Sequence, residues 1–180
     1  MKTFTRGRLI ALLGISALTV AGCSNQRIMQ YQTQKPELDL VKFFVGTTDA
    51  WGMFQDRSGQ VQKRFKGTIE GKMNGQQLIL NESFVYSDQT TQNRVWTLTP
   101  QAQGRWTGTA ADVEGEAQGQ VAGNALNWKY TLKLPVDNKV YQVQFDDWMY
   151  LLDEQTMMNR ASMSKFGVEL GQVTLTFRKR

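Results

Sequence analysis

The stretch VQKRFKGTIEGKM, residues 61–73, holds a two-residue period over 13 positions. Val61, Phe65, Ile69 and Met73 fall on one face, with Gly67 and Gly71 between them. Gln62, Arg64, Lys66, Thr68, Glu70 and Lys72 fall on the other. Only an extended strand with one buried face repeats in this way. A chain built around such a stretch must find a partner strand for each of its edges and a core for its apolar side.

The rest of the sequence supplies both. Asn74-Gly75 marks a tight hairpin turn directly after the stretch. LNWKYTLKL (126–134) and KVYQVQF (139–145) repeat the alternation on either side of Asp137-Asn138, and QVTLTF (172–177) repeats it again. Shorter segments at 50–56, 77–86, 94–99, 105–110, 116–121 and 159–166 read as strands, separated by DRSG, QAQG and AGN turns. Sixteen Gly, three Pro and the lack of a long helical period agree with this. Eight to ten strands with short connections and one-sided burial predict an all-β fold. The expected form is an antiparallel meander closing into a lipocalin-like up-and-down β-barrel, since closure removes the edges. An open or flattened sheet is the alternative.

The first residues state an address. Lys2, Arg6 and Arg8 precede LIALLGISALTV (9–20), whose 12 residues are too few to span a bilayer core of about 30 Å as a helix. The segment reads as a signal peptide. VAGC then resembles the bacterial lipobox, with Cys23 as the lipidated residue, and Ser24 after it favours the outer membrane by the sorting rule of Gram-negative lipoproteins. The expected organisation is a signal peptide (1–22), a lipidated flexible tether (23–37) and a single barrel domain (38–180). The barrel would then face the periplasm.

Several chemistries are excluded. The chain has no His and one Cys, so neither a Ser-His-Asp triad nor a Cys-His pair is possible, and zinc or haem sites lack their usual ligands. No metal or cofactor is expected. The formal charge of +5 owes three of its 21 basic residues to the signal segment; without them 18 basic residues face 16 acidic ones. A nearly neutral body argues against nucleic acid as a partner.

FFVGTTDAWGMFQDRSG, RVWTL, GTAADVEGEAQGQVAGNALNWKY and FDDWMYLLDEQTMMNRASMSKFG together resemble an uncharacterised family of proteobacterial lipoproteins, a domain of unknown function, over about residues 31–177. The resemblance carries no assigned activity or site. It implies a lipid context, palmitate-like chains included, because members of that family lie near genes for fatty-acid modification.

The informative residues are charges placed among apolar ones. In FDDWMYLLDE (145–154), Asp146 and Asp147 point to opposite faces of a strand, so they form no side-by-side dyad. Asp147 and Asp153 share a face but lie about 20 Å apart along it, beyond the roughly 5–9.5 Å of a glycosidase pair. The length of this run predicts a bulge near Asp146-Asp147. Asp147 shares its face with Tyr141, Val143 and Phe145; Glu82 shares one with Leu78, Leu80 and Phe84; Arg94 shares one with Trp96 and Leu98. Buried charges need partners. Arg94 is therefore expected either to pair with Glu82 or Asp147, or to offer its fork to a ligand carboxylate or phosphate. Arg160 is a lower-ranked second cation, because its parity turns it away from Met157 and Ala161. Asp112 and Glu114 read as surface turn charges.

The candidate ligand-binding set is Arg94, Glu82, Asp147, Trp96, Tyr141 and Arg160, with Cys23 as the lipidation site. The leading functional expectation is a protein anchored to the outer membrane by its N-terminal lipid, holding a lipid or other apolar small molecule in the barrel. The alternatives are an envelope scaffold without a cavity, whose protein partner the sequence does not name, and a lipid-acting enzyme. No catalytic residue stands out. A lumen with charges in its lining separates the first reading from the second.

Overall fold

The computed structural model describes residues 27–136 and 139–180, with the backbone alone for Val136. Cys23, the lipobox, the signal segment and the Asp137-Asn138 turn lie outside the described residues. Ten strands follow one another: β1 (Gly46–Asp56), β2 (Val61–Asn74), β3 (Gln77–Tyr86), β4 (Thr91–Pro100), β5 (Arg105–Thr109), β6 (Val113–Ala122), β7 (Ala125–Val136), β8 (Lys139–Leu151), β9 (Thr156–Lys165) and β10 (Val168–Lys179). Each pairs antiparallel with the next, and β1 pairs with β10, so the meander closes into a barrel. The expected fold class is the observed one.

The inward faces are those the alternation predicts, except that Val61 and Met73 near the ends of β2 are exposed. Leu78, Leu80 and Phe84 of β3 are buried, as are Trp96 and Leu98 of β4, Leu126, Trp128 and Leu132 of β7, and Leu175 and Phe177 of β10. Tight turns follow the sequence signals. Asn74 pairs with Gln77, and Gly75 between them has φ +59°, a left-handed conformation that glycine adopts without penalty. The expected bulge near Asp146-Asp147 is absent: β8 keeps unbroken register with β7 and β9 through both residues. Thirteen residues in regular register suit a tilted strand of a large barrel. The register shifts lie instead at Phe54/Gln55, Glu114/Gln118 and Glu169/Gly171.

Two segments before β1 depart from an all-strand reading. Residues 40–44, LVKFF, form a short helix α1 (Leu40–Phe44). Asp39 caps it by accepting from the Val41 and Lys42 amides at 2.9 and 3.0 Å. Leu40, Phe43 and Phe44 are buried, and Phe44 meets Phe177 edge-on at 5.8 Å. The Lys179 ammonium donates to the Phe43 and Val45 carbonyls at 3.0 and 2.6 Å. The helix thus plugs one end of the barrel and the last strand fastens it there.

The second departure is the expected tether. Its described part, from Arg27, is held on the outer wall. Ile28–Tyr31 is one turn of 3-10 helix. The Tyr31 ring lies 5.4 Å from Tyr150 and 6.1 Å from Trp148. Leu38 donates its amide to the Gly123 carbonyl at 2.8 Å. Gly123 sits in the two-residue β6–β7 turn with φ +54°, and a Cβ there would stand 1.8 Å from the Tyr31 carbonyl oxygen. Polar composition hid this attachment, in which aromatic contacts of Tyr31 and a backbone bond take part.

Candidate functional site

Side chains that alternate inward on ten strands leave the barrel axis unfilled. The lumen has a volume of about 940 Å³, at the upper end of small-molecule pockets. It runs from Leu40 and Phe44 of α1 to the exposed residues Lys63, Thr90, Thr91 and Pro135 beside the hairpin turns of the opposite end, which is its mouth. Beyond these, the same end carries Phe166, 90% exposed at the tip of the β9–β10 hairpin, and Val140 beside the β7–β8 turn.

The walls are largely aromatic because glycines make room for rings. A Cβ on Gly67 would stand 2.4 Å from Phe84 Cδ1, one on Gly52 2.4 Å from Phe65 Cζ, and one on Gly119 2.2 Å from Trp128 Cε3. Each ring lies flat over a neighbouring strand where a side chain would otherwise project. Tyr130 and Phe145 stack at 5.0 Å with 8° between planes, and Trp96 meets Trp128 and Tyr130 edge-on at 5.7 and 5.4 Å.

Behind Lys63 at the mouth, charged groups enter this apolar lumen from three further strands. Register places Glu82 of β3 directly across from Arg94 of β4. Their side chains are 12% and 15% exposed, with Nη1 and Oε2 3.9 Å apart. The nearer partner of Arg94 is Asp112, in the turn between β5 and β6. Arg94 Nη2 donates to Asp112 Oδ2 at 2.7 Å, and Nε to both carboxylate oxygens at 3.0 and 3.1 Å. Gln92 Nε2 adds a longer donation of 3.5 Å. Asp112 was expected to be a solvated turn charge; the turn instead folds its carboxylate onto the guanidinium. No periodicity could have found this, because parity fixes the face of a strand residue and not the reach of a turn. Glu114 does stay at the surface, 3.9 Å from Lys133.

Asp147 of β8 faces the same lumen, across from Trp128. Asp146 points outward to Lys129 at 3.1 Å and accepts from Asn127 Nδ2 at 2.6 Å. Asp147 Oδ1 has no hydrogen-bond partner among the described residues, and neither has Asn159 Oδ1 of β9. The two residues are 6% and 4% exposed. Asn159 pairs with Met149, two residues from Asp147, so the two side chains are diagonal neighbours on one face. Sequence reasoning missed Asn159, although it shares the Met157 and Ala161 face of its strand.

Burial dominates the acid–base behaviour. It pushes Glu82 up to about 7 against the pull of Arg94, with the Asp112 charge adding to the rise. It pushes Asp147 up to about 7 as well, helped by Asp146 and opposed by Arg94 and the Asn159 side chain. Tyr130 is raised well above its ordinary value by burial and then by the Asp147 charge. Burial also works against the Arg94 cation, but the Asp112 hydrogen bonds, with Glu82 beyond them, more than reverse it and keep the guanidinium charged.

Of the six candidate residues, four line one cavity: Glu82, Arg94, Trp96 and Asp147. The other two do not. Tyr141 shares the parity of Asp147 but lies near the start of β8, where the Lys165 ammonium stands 4.1 Å from its ring centre. Arg160 is exposed on the outer wall and donates to Gln172 Oε1 at 2.9 Å. The reading of Arg94 as a free fork for an anion is also corrected, since Asp112 occupies two of its three nitrogens.

The family model described as a protein of unknown function, DUF3833, matches residues 17–179. No curated protein matches the chain. Among solved structures, the S-type phycobiliprotein lyase CPES from Guillardia theta aligns with a TM-score of 0.56 at 7% identity, over 76% of this chain and 88% of that one. A protein of unknown function of the DUF3598 family from Nostoc punctiforme PCC 73102 aligns with a TM-score of 0.59 at 14% identity, over 82% of this chain and 51% of that one. These likenesses are of fold, that of lipocalin-like barrels.

Proposed function

We infer that this chain, which belongs to the DUF3833 family of proteins of unknown function, binds a lipid or other apolar small molecule inside its barrel while anchored to a membrane through Cys23. The observation that carries the reading is the lumen of about 940 Å³, walled by aromatic rings and entered by a few charged groups. Ligand pockets combine an apolar lining with a small number of polar groups that orient the ligand. A structural neighbour named for its work on phycobiliproteins points the same way by analogy of fold alone.

The lipobox reading supplies the anchor, and acyl chains on Cys23 would make attachment stable. Three residues lie between Cys23 and Arg27, a reach of at most about 14 Å over the four steps. Arg27 begins the segment held beside the β6–β7 turn, at the α1 end of the barrel. Anchor and mouth therefore lie at opposite ends, with the mouth open to the aqueous side. An outer-membrane, periplasm-facing address follows from Ser24 in this reading.

The test is direct. The domain beginning at Arg27 is titrated into N-phenyl-1-naphthylamine, a neutral dye that brightens in apolar surroundings, and lipids extracted from the purified protein are identified by mass spectrometry. Saturable dye uptake, reversed by a co-purified lipid, is expected. A protein that takes up no dye and carries no lipid would leave the scaffold reading standing.

A further inference from the structure

The polar groups of the lumen differ in what they still need. Arg94 is largely engaged: Asp112 takes Nε and Nη2, and Nη1 pairs by charge with Glu82 at 3.9 Å. Lys63 at the mouth is paired with Asp88 at 2.7 Å. Asp147 and Asn159 are not fully satisfied. Both residues line the lumen, and each carries a buried carboxyl or amide oxygen with no hydrogen-bond partner among the described residues. Around them the wall is apolar, with Trp128 across from Asp147 on one side and Ala161 on the other.

A buried acceptor left without a donor costs roughly 1–3 kcal/mol. Two such acceptors side by side on adjacent strands form a place built for a donor. The charges agree. Among the described residues, Arg94 is the one cation of the lumen lining away from the mouth, against the carboxyl groups of Glu82, Asp112 and Asp147. An incoming carboxylate or phosphate would therefore meet a surplus of like charge.

We propose that Asp147 and Asn159 form the subsite for the polar end of the ligand, and that this end donates hydrogen bonds: a hydroxyl or an amine on a hydrocarbon body, not a carboxylate. The hydrocarbon lies along the aromatic walls, and the donor reaches the two orphan oxygens. The polar end is thereby read at β8 and β9, while the Arg94 cluster opposite serves to hold the wall. This rests on the ligand-binding reading above and names the chemistry of that same cavity.

The experiment compares three probes with the same chain, dodecan-1-ol, dodecylamine and dodecanoate, each below its micellar concentration at pH 7.5. Each is titrated against the domain loaded with N-phenyl-1-naphthylamine. The alcohol and the amine are expected to displace the dye at concentrations at least about tenfold lower than the carboxylate, the ratio set by one unmet hydrogen bond. Asp147→Asn, which keeps the size and adds a donor, is expected to narrow that ratio while dye uptake persists. Equal displacement by all three, or a preference for dodecanoate, overturns the donor subsite and leaves the binding function intact. A ratio unchanged in Asp147→Asn overturns the assignment to these residues. Absence of dye uptake in the wild type removes the binding reading and this inference with it.

Discussion

Arg94 shows how a single residue couples the lumen to stability. Its guanidinium neutralises Asp112 by hydrogen bonds and Glu82 by proximity, and all three side chains are largely withdrawn from water. Removing one partner of such a set strands the others, at about 3–5 kcal/mol for a fully buried pair. Asp112 is 30% exposed, so the lower end applies. Arg94→Ala is expected to lower the melting temperature by about 6–12 °C for a chain of this size, a shift that calorimetry reads directly. Glu82 and Asp147 give a second handle through pH. Both have folded-state values near 7, raised from carboxyl values of 4.5 and 3.8. Between those limits the folded state holds protons that the unfolded chain has released, so their contribution is complete below about pH 4 and is lost as pH rises through 7. The protein should therefore melt at a higher temperature at pH 5.5 than at pH 8. In Glu82→Gln that difference should shrink. The surface carboxylates Asp56, Asp88 and Asp153 are held below their ordinary range by hydrogen bonds to Ser58, to Lys63 and to the Gln155 amide in turn. Their effect has the opposite sign and falls at the acid end, outside this window. A flat profile from pH 5.5 to 8 would show that the lumen carboxyls are hydrated like surface ones.

At the scale of elements, the strands were legible because their signal is local. Each inward face can be counted off two by two, and the hairpin at Gly75 follows from one dipeptide. What could not be counted was contact between elements. LVKFF is as apolar as any buried strand; the Asp39 cap and the packing of Phe43 and Phe44 into the barrel end make it a helix. Asp112 looked solvated because its own neighbours are turn residues, while its partner lies 18 positions earlier. Arg160 and Arg94 are both strand arginines, and only parity told them apart. The wall glycines carry a further consequence. Gly67 leaves room for the Phe84 ring, and a methyl group there would stand 2.4 Å from Cδ1 and 2.8 Å from the Ser83 carbonyl oxygen. Gly67→Ala must push the ring toward the axis, at a cost of about 1–3 kcal/mol for overpacking. A lower melting temperature together with weaker dye uptake is expected. Loss of stability with unchanged uptake would mean that the ring moves along the wall instead of into the lumen.

For the whole molecule, the proposed address and the proposed binding are separable, and so are their tests. Cys23→Ser removes the thiol that acylation needs, so the full-length variant should leave the membrane fraction, while the domain beginning at Arg27 should bind dye as before. Persistence of the Cys23→Ser protein in membranes after a high-salt wash would set the lipobox reading aside without touching the lumen. The two properties were unequally readable for a physical reason. A signal segment is recognised as a linear string, and so its reading needs no fold. A cavity exists only once ten strands have closed around it, and its volume depends on how far rings lie against glycines on neighbouring strands.

That closure also has an order in time. The seam between β1 and β10 joins residues 48–56 to residues 171–179. Hairpins such as β2–β3 bring together residues a few positions apart and can form in microseconds, whereas this seam must bring together segments more than a hundred residues apart. The loop entropy grows slowly with that separation, but non-local pairing of this kind is what slows β-rich folding. Until β10 docks, β1 and β9 each present a bare edge able to pair with any passing strand. The strand synthesised last of the ten is thus also the one that ends the period of greatest exposure to aggregation.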